Sequence, residues 1–264
     1  MLVAVPALAA CAPKVSAGEW ACPADGGADG GASQPPAETD PVTVPWSTGF
    51  ENGFCDYTQA AGYCYGNQPY VLVTEPHRPG GRHAAEFRVN GEKGGGLDVQ
   101  TRCVRQGEFP ESAFYGAWYF IPEALKDNGD QVWNLLHFEG QAMPDSRLWD
   151  VSLAPGLRAG DWELIVYDPV SKDTYRSADH RAVPIGAWFH IELFLKRASD
   201  STGKIALYQD GVLLFERSNL KSDASKFTQW YVGNFAASAT PADSRVYVDD
   251  VSISATLSST TATP

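Results

Sequence analysis

A chain of 264 residues, 44% of them hydrophobic, can bury one sizeable core, and all-β domains of roughly 200–250 residues often stand as single units. A formal net charge of -12 argues against nucleic acid as a partner, because phosphate binding needs clustered Lys and Arg, and a polyanionic ligand would need a local basic patch. No run of roughly 20 apolar residues exists, so nothing reads as a membrane-spanning helix.

The chain opens on residues 1–22, a targeting segment. Met1–Ala10 is apolar and rich in small residues, and Leu8-Ala9-Ala10-Cys11 looks like a bacterial lipobox. That pattern implies cleavage before Cys11 and lipid attachment to it, in a protein exported to the cell surface, the outer membrane or the medium. The alternative is an ordinary signal peptide with an incidental Cys11. The charged stretch expected at the front of a signal peptide is missing, which leaves open a true start upstream of Met1. Residues 23–43 are Gly, Ala, Asp and Pro with almost no large apolar residue, the composition of a flexible tether. Cys22, Cys55, Cys64 and Cys103 form an even set, as two disulfides would require. Of the three possible pairings, a local Cys55–Cys64 bridge with Cys22–Cys103 is the first expectation.

The folded domain is expected over residues 44–255, followed by a Ser/Thr tail, 256–264. Strand-like runs recur between turn signals: Tyr70–Thr74, Ala84–Val89, Gly96–Val104, Ala113–Ile121, Val132–Phe138, Leu148–Leu153, Trp162–Tyr167, Trp188–Lys196, Ile205–Gln209, Val212–Glu216, Gln229–Phe235 and Arg245–Ser254. Trp188–Lys196 carries the strongest signal: Phe189, Ile191, Leu193 and Leu195 alternate with His190, Glu192, Phe194 and Lys196, a period of two residues. Asp210-Gly211 between the next two runs is a hairpin dipeptide, because Gly accepts positive φ. Pro122–Asp127 and Asn219–Lys226 read as brief helices. Many short strands with polar loops predict an all-β, two-sheet antiparallel sandwich or jelly roll.

Four segments carry a family resemblance. Phe114–Pro122 (FYGAWYFIP), Trp133–Gly140 (WNLLHFEG), Pro184–Glu216 and Gln229–Phe235 (QWYVGNF) follow one another as in concanavalin A-like, laminin G-like jelly rolls. The pattern resembles the heparin-lyase and alginate-lyase group of polysaccharide lyases over about Trp46–Ser254. The resemblance implies a polysaccharide partner and no cofactor for the chemistry. The family's Arg-Ser-Glu-Leu strand is similar to Arg82–Arg88, where Ala84 replaces the Arg, Glu86 keeps the Glu and Arg88 lies two residues on. Its Gln-x-His strand becomes Leu135-Leu136-His137, and its late Lys and Tyr become Tyr231 and Phe235. The catalytic pattern is thus matched in part. The Glu-x-Asp-x-x-Glu run of the related glycoside hydrolases, whose paired carboxylates hydrolyse the bond, is absent.

The expected catalytic residues are Arg88 to neutralise a uronate carboxylate, His137 as base, and Tyr231, Tyr119 or Tyr167 as acid, the three tasks of β-elimination. Glu86, Trp133, Glu139, His190 and Glu192 are expected to bind substrate, with Trp133, His137 and Glu139 on one strand face. Aromatic and polar groups together suit the C–H faces and hydroxyl edges of sugars. Jelly rolls of this kind often hold structural Ca²⁺ where first and last strands pair, and Glu51 and Asp249 offer the hard oxygens it needs. Three functions follow: a monomeric surface or secreted protein that binds or processes polysaccharide, an active uronate lyase, or a non-catalytic adhesion lipoprotein.

Overall fold

The computed structural model describes residues 41–58, 62–66, 68–91, 99–124, 126, 132–140, 148–168, 171–223, 225, 228–237 and 241–258; Cys11 and Cys22 lie outside them. In chain order the elements are β1 (Trp46–Thr48), α1 (Cys55–Thr58), β2 (Gly62–Gly66), β3 (Tyr70–Val73), β4 (Ala84–Asn90), β5 (Gln100–Gly107), β6 (Ser112–Phe120), β7 (Val132–Gly140), β8 (Leu148–Pro155), β9 (Trp162–Asp168), β10 (Asp173–Arg176), β11 (Trp188–Lys196), β12 (Gly203–Gln209), β13 (Val212–Leu220), β14 (Thr228–Ala237) and β15 (Asp243–Ser254). They form two antiparallel sheets. An eight-stranded sheet runs β13-β12-β11-β6-β15-β4-β3 with β1 beside β15, and a seven-stranded sheet runs β10-β9-β8-β7-β14-β5-β2. This is the jelly-roll sandwich that the alternation predicts.

The core lies between the sheets. β11 delivers Phe189, Ile191, Leu193 and Leu195 to it, while β7, β8 and β14 deliver Trp133, Phe138, Trp149, Trp230 and Val232 from the other side. Burial of large aromatic surface on this scale dominates the energetics of such a core. The β12–β13 hairpin turns on Asp210 (φ 52°) and Gly211 (φ 75°), with Gln209 opposite Val212. Asp210 also accepts a hydrogen bond from the His190 amide at 2.9 Å, which ties the turn to β11.

Three expectations change. Neither Pro122–Asp127 nor Asn219–Lys226 is helical among the described residues; the helix there is α1. Cys64 pairs with Cys103, not with Cys55, and Cys103 is therefore closed to Cys22. The reason is register: β2 lies antiparallel to β5 with Cys64 directly opposite Cys103, at a Cα–Cα distance of 4.0 Å, whereas proximity in sequence fixes no geometry. Cys55 is disulfide-bonded as well.

Candidate active site

The outer face of the seven-stranded sheet gathers polar and ionisable side chains, and two strand irregularities lie within the cluster. β7 carries an extra residue against β8 between Asn134 and Leu136, and β14 is irregular against β7 between Val232 and Phe235. A bulge reverses the side-chain alternation beyond it. Trp133 therefore turns into the core, fully buried and edge-on to Trp162 at 5.2 Å. It does not share a face with His137, as an unbroken period of two would require. Asn134 takes the outward position instead, alongside His137 and Glu139.

Across the strands the face is continuous. Asp150 on β8 lies opposite His137, His137 opposite Tyr231 on β14, Tyr231 opposite Val104 on β5, and Val104 opposite Tyr63 on β2. Arg102 on β5 lies opposite Gly233. With no side chain at 233, its guanidinium spans β14, 5.6 Å from the Tyr231 ring and 4.9 Å from the Phe235 ring. Its Nη2 donates to Asn134 Oδ1 at 2.7 Å. Gly233 has φ +145°, and a Cβ there would lie 2.4 Å from Thr101 O and 2.8 Å from Arg102 Cα, so glycine is required on both counts. Asn134 in turn donates through Nδ2 to Leu136 O at 2.9 Å and Asp150 Oδ1 at 3.1 Å.

His137 stands at the centre. Its Nδ1 lies 2.6 Å from Asp150 Oδ1, its Nε2 3.5 Å from Glu139 Oε2, and the Tyr231 ring meets it edge-on at 4.8 Å. With Nδ1–H donated to Asp150, the neutral ring keeps its free lone pair on Nε2. Burial alone lowers the His137 pKa, but hydrogen bonds donated by the ring to the Asp150 and Glu139 carboxylates outweigh it and the net shift is upward. Glu139 is held below its ordinary value, first by its hydrogen bond with His137. Burial, reinforced by the Glu139 charge, raises the Tyr231 pKa, so its hydroxyl stays protonated; it donates to Gln229 Oε1 at 2.5 Å. At the edge of the sheet, Tyr63 and Tyr65 lie 5.8 Å apart, with Tyr63 39% exposed, an aromatic surface suited to sugar rings.

The other expected residues lie elsewhere. Glu86 and Arg88 pair with each other on β4 and face away from the core of the eight-stranded sheet, beside Arg245 and Tyr247; Arg88 does not reach His137. His190 and Glu192 on β11 belong to that sheet too. His190 lies against Trp118 at 5.0 Å, and the Glu192 carboxylate receives the Ser258 amide and hydroxyl. Both are buried, so neither lines an open groove. Tyr119 is a core residue, whereas Tyr167 sits on the His137 face next to Asp150. Sequence reasoning missed Arg102 and Asn134. The consecutive Leu135-Leu136 that breaks the alternation was the signal for Asn134, and the outward parity of Arg102 beside core-facing Cys103 was the signal for the arginine.

Asp249 feels the negative charge of Glu51, which adds to its upward shift. Glu51 Oε1 accepts the Arg82 and His83 amides at 2.7 and 3.1 Å, which hold its pKa down to about 2, the Arg82 amide most of all. Burial pushes Asp249 up to about 7 although it accepts the Arg78 amide at 2.9 Å. Among the described residues no three His, Cys, Asp or Glu side chains converge to hold a metal. The donor set suits a hard cation chemically, and backbone carbonyls and water would have to complete six to eight ligands.

The molecule is thus a jelly-roll sandwich with an Arg–His–Tyr cluster on the outer face of one sheet. The family model for polysaccharide lyases matches residues 48–252, and the chain belongs to this family. No curated protein matches it in sequence. Similar solved folds include the cellulose induced protein Cip1 (TM-score 0.55, 17% identity, covering 80% of this chain and 97% of that one). Others are alginate lyase vAL-1 from Chlorella virus (0.54, 11%, 74% and 93%) and the marine PL-14 alginate lyase from Aplysia kurodai (0.52, 14%, 79% and 97%).

Proposed function

We propose that this protein cleaves a uronate-containing polysaccharide by β-elimination at the Arg102–His137–Tyr231 cluster. The observation that carries the reading is the 2.6 Å contact of His137 Nδ1 with Asp150 beside the Tyr231 ring, which pairs an oriented base with a protonated acid. Arg102 takes the neutralising role expected of Arg88. Its guanidinium has five N–H donors and offers those not given to Asn134 to the uronate carboxylate, stabilising the negative charge that develops there. His137 Nε2 accepts the C5 proton. The C5 electron pair forms the C4–C5 double bond, the C4–O bond breaks, and the leaving oxygen takes the Tyr231 proton. Solvent then restores both protonation states.

The test is ultraviolet absorbance from unsaturated uronate ends. Alginate, the substrate in the names of two similar folds, is the first probe, followed by glucuronan and heparin-type chains. Appearance of the chromophore with wild type supports the reading; its absence on all of them rejects it. The replacement of the family's late tyrosine by Phe235 favours a second reading, a binding module, which would hold the same glycans without turnover.

Two finer proposals accompany this. Lipid attachment at Cys11 is supported by the lipobox and the tether that follows it. It predicts a membrane-fraction protein whose Cys11→Ser variant becomes soluble; equal partition of both forms rejects it. Among the described residues no helix is long and apolar enough to cross a membrane. A structural Ca²⁺ near Glu51 and Asp249 is supported by the charge gathered there with Asp250, whose pKa burial also raises. Ca²⁺ should raise the melting temperature of wild type and leave Asp249→Asn unmoved; a calcium-indifferent wild type rejects it.

A further inference from the structure

We infer that Tyr119, a core residue of the opposite sheet, is a positioning residue that pins both bulges and so sets the geometry of the cluster; the inference rests on the site proposed above. Tyr119 projects from β6 across the sandwich and is fully buried. Its hydroxyl donates to Leu135 O at 2.7 Å and accepts the Gly233 amide at 3.4 Å. Leu135 is the extra residue of the β7 bulge, and Gly233 lies in the irregular stretch of β14. These are adjacent strands, and the hydroxyl supplies the partners that the interrupted ladder leaves open. A buried backbone N–H or C=O without a partner is costly, and a hydroxyl can serve both at once because it donates and accepts.

The consequence runs outward through the sheet. Leu135 is flanked by Asn134 and Leu136, and the Asn134 amide bonds both Leu136 O and Asp150, the partner of His137. Gly233 is the residue Arg102 crosses. Without the hydroxyl, the strands satisfy Leu135 O and Gly233 N only by closing the bulges, which shifts Asn134 against Arg102 and Asp150.

Tyr119→Phe removes that hydroxyl alone. Tyr115→Phe is the matched control. It lies on the same strand, it is fully buried, and among the described residues its hydroxyl has no hydrogen-bond partner. The readouts are the NMR titration of His137, which faces Asp150, Glu139, Tyr231 and Arg102, and exchange of the Gly233 amide; neither needs turnover. In Tyr119→Phe the His137 midpoint moves down toward the ordinary value of about 6.5, and Gly233 exchanges about tenfold faster or more, as loss of one buried hydrogen bond allows. On a substrate that wild type cleaves, kcat falls about 10- to 100-fold, the scale of an ångström-sized misplacement. Tyr115→Phe matches wild type throughout. A Tyr119→Phe protein with the His137 titration and Gly233 exchange of wild type overturns the inference. Should Tyr119→Phe not fold, exchange in wild type decides: Gly233 protected like its β14 neighbours supports the pin, and rapid exchange overturns it. A wild type that cleaves no uronate glycan rejects the lyase reading, and the His137 titration still decides the role of Tyr119.

Discussion

His137→Ala should lower kcat on a cleavable uronate glycan by about 10²- to 10⁴-fold, the usual contribution of a positioned proton acceptor. The side chain is removed from between two carboxylates, Asp150 and Glu139, and β7, β8 and β14 carry no second histidine. The pH profile of wild type carries the same signature. Because the His137 pKa is raised, its neutral, basic form accumulates only as pH rises above the ordinary histidine value near 6.5. The acid limb of kcat/KM should therefore lie on the alkaline side of that value, and His137→Gln should erase it along with the activity. The stability linkage runs the other way. A raised folded-state pKa adds stability that is complete below the unfolded-state pKa and is lost as pH climbs through the folded one. On the proposed mechanism, turnover should thus be fastest where this pair contributes least to folding. An unchanged rate in His137→Ala would remove the base from the mechanism.

Gly233→Ala should be strongly destabilising. Its Cβ would press on Thr101 O and Arg102 Cα, both backbone, at a φ of +145°. Such a backbone conformation costs of order 1–3 kcal/mol for a non-glycine residue, and displacing the paired strand adds to it. A total of about 3 kcal/mol is a large share of the 5–15 kcal/mol typical of a domain and corresponds to a melting-temperature drop of roughly 6–12 °C. Gly160→Ala separates the two causes: its φ is +90° and nothing lies within 4 Å of the added atom, so it bears the conformational cost alone. Gly233→Ala should melt well below Gly160→Ala and should also lose turnover per folded molecule as Arg102 shifts. Equal melting of the two variants would contradict the close-packing argument.

Much of the fold is written in alternation. The period-two pattern of Trp188–Lys196 and the Asp210-Gly211 turn specify strands and a hairpin through local backbone physics, and both stand in the structure. Alternation assigns a residue to a face but not to a sheet. Arg88, His137 and His190 each lie on a polar strand face, yet only the non-local pairing of strands separates them onto two sheets. The short strands β1, β2 and β10 carry too few residues to show a period. The Cys64–Cys103 bridge depends on β2 finding β5, a choice made by register rather than by spacing along the chain. The site itself depends on breaks in the pattern. Counting in twos from His137 puts Trp133 outward, and the added residue at Leu135 exchanges it for Asn134. Resemblance directed attention to the Arg82–Arg88 strand, while the arginine that reaches the cluster is Arg102, admitted by the missing side chain at Gly233.

The measurement that tests the central claim most directly is proton NMR of the chain ends in a wild-type digest of alginate or another cleaved uronate polymer. Elimination predicts a vinylic proton on C4 of each new non-reducing end, absent from the matching His137→Ala incubation. New ends that are saturated, or a polymer that is bound but uncut, would contradict it.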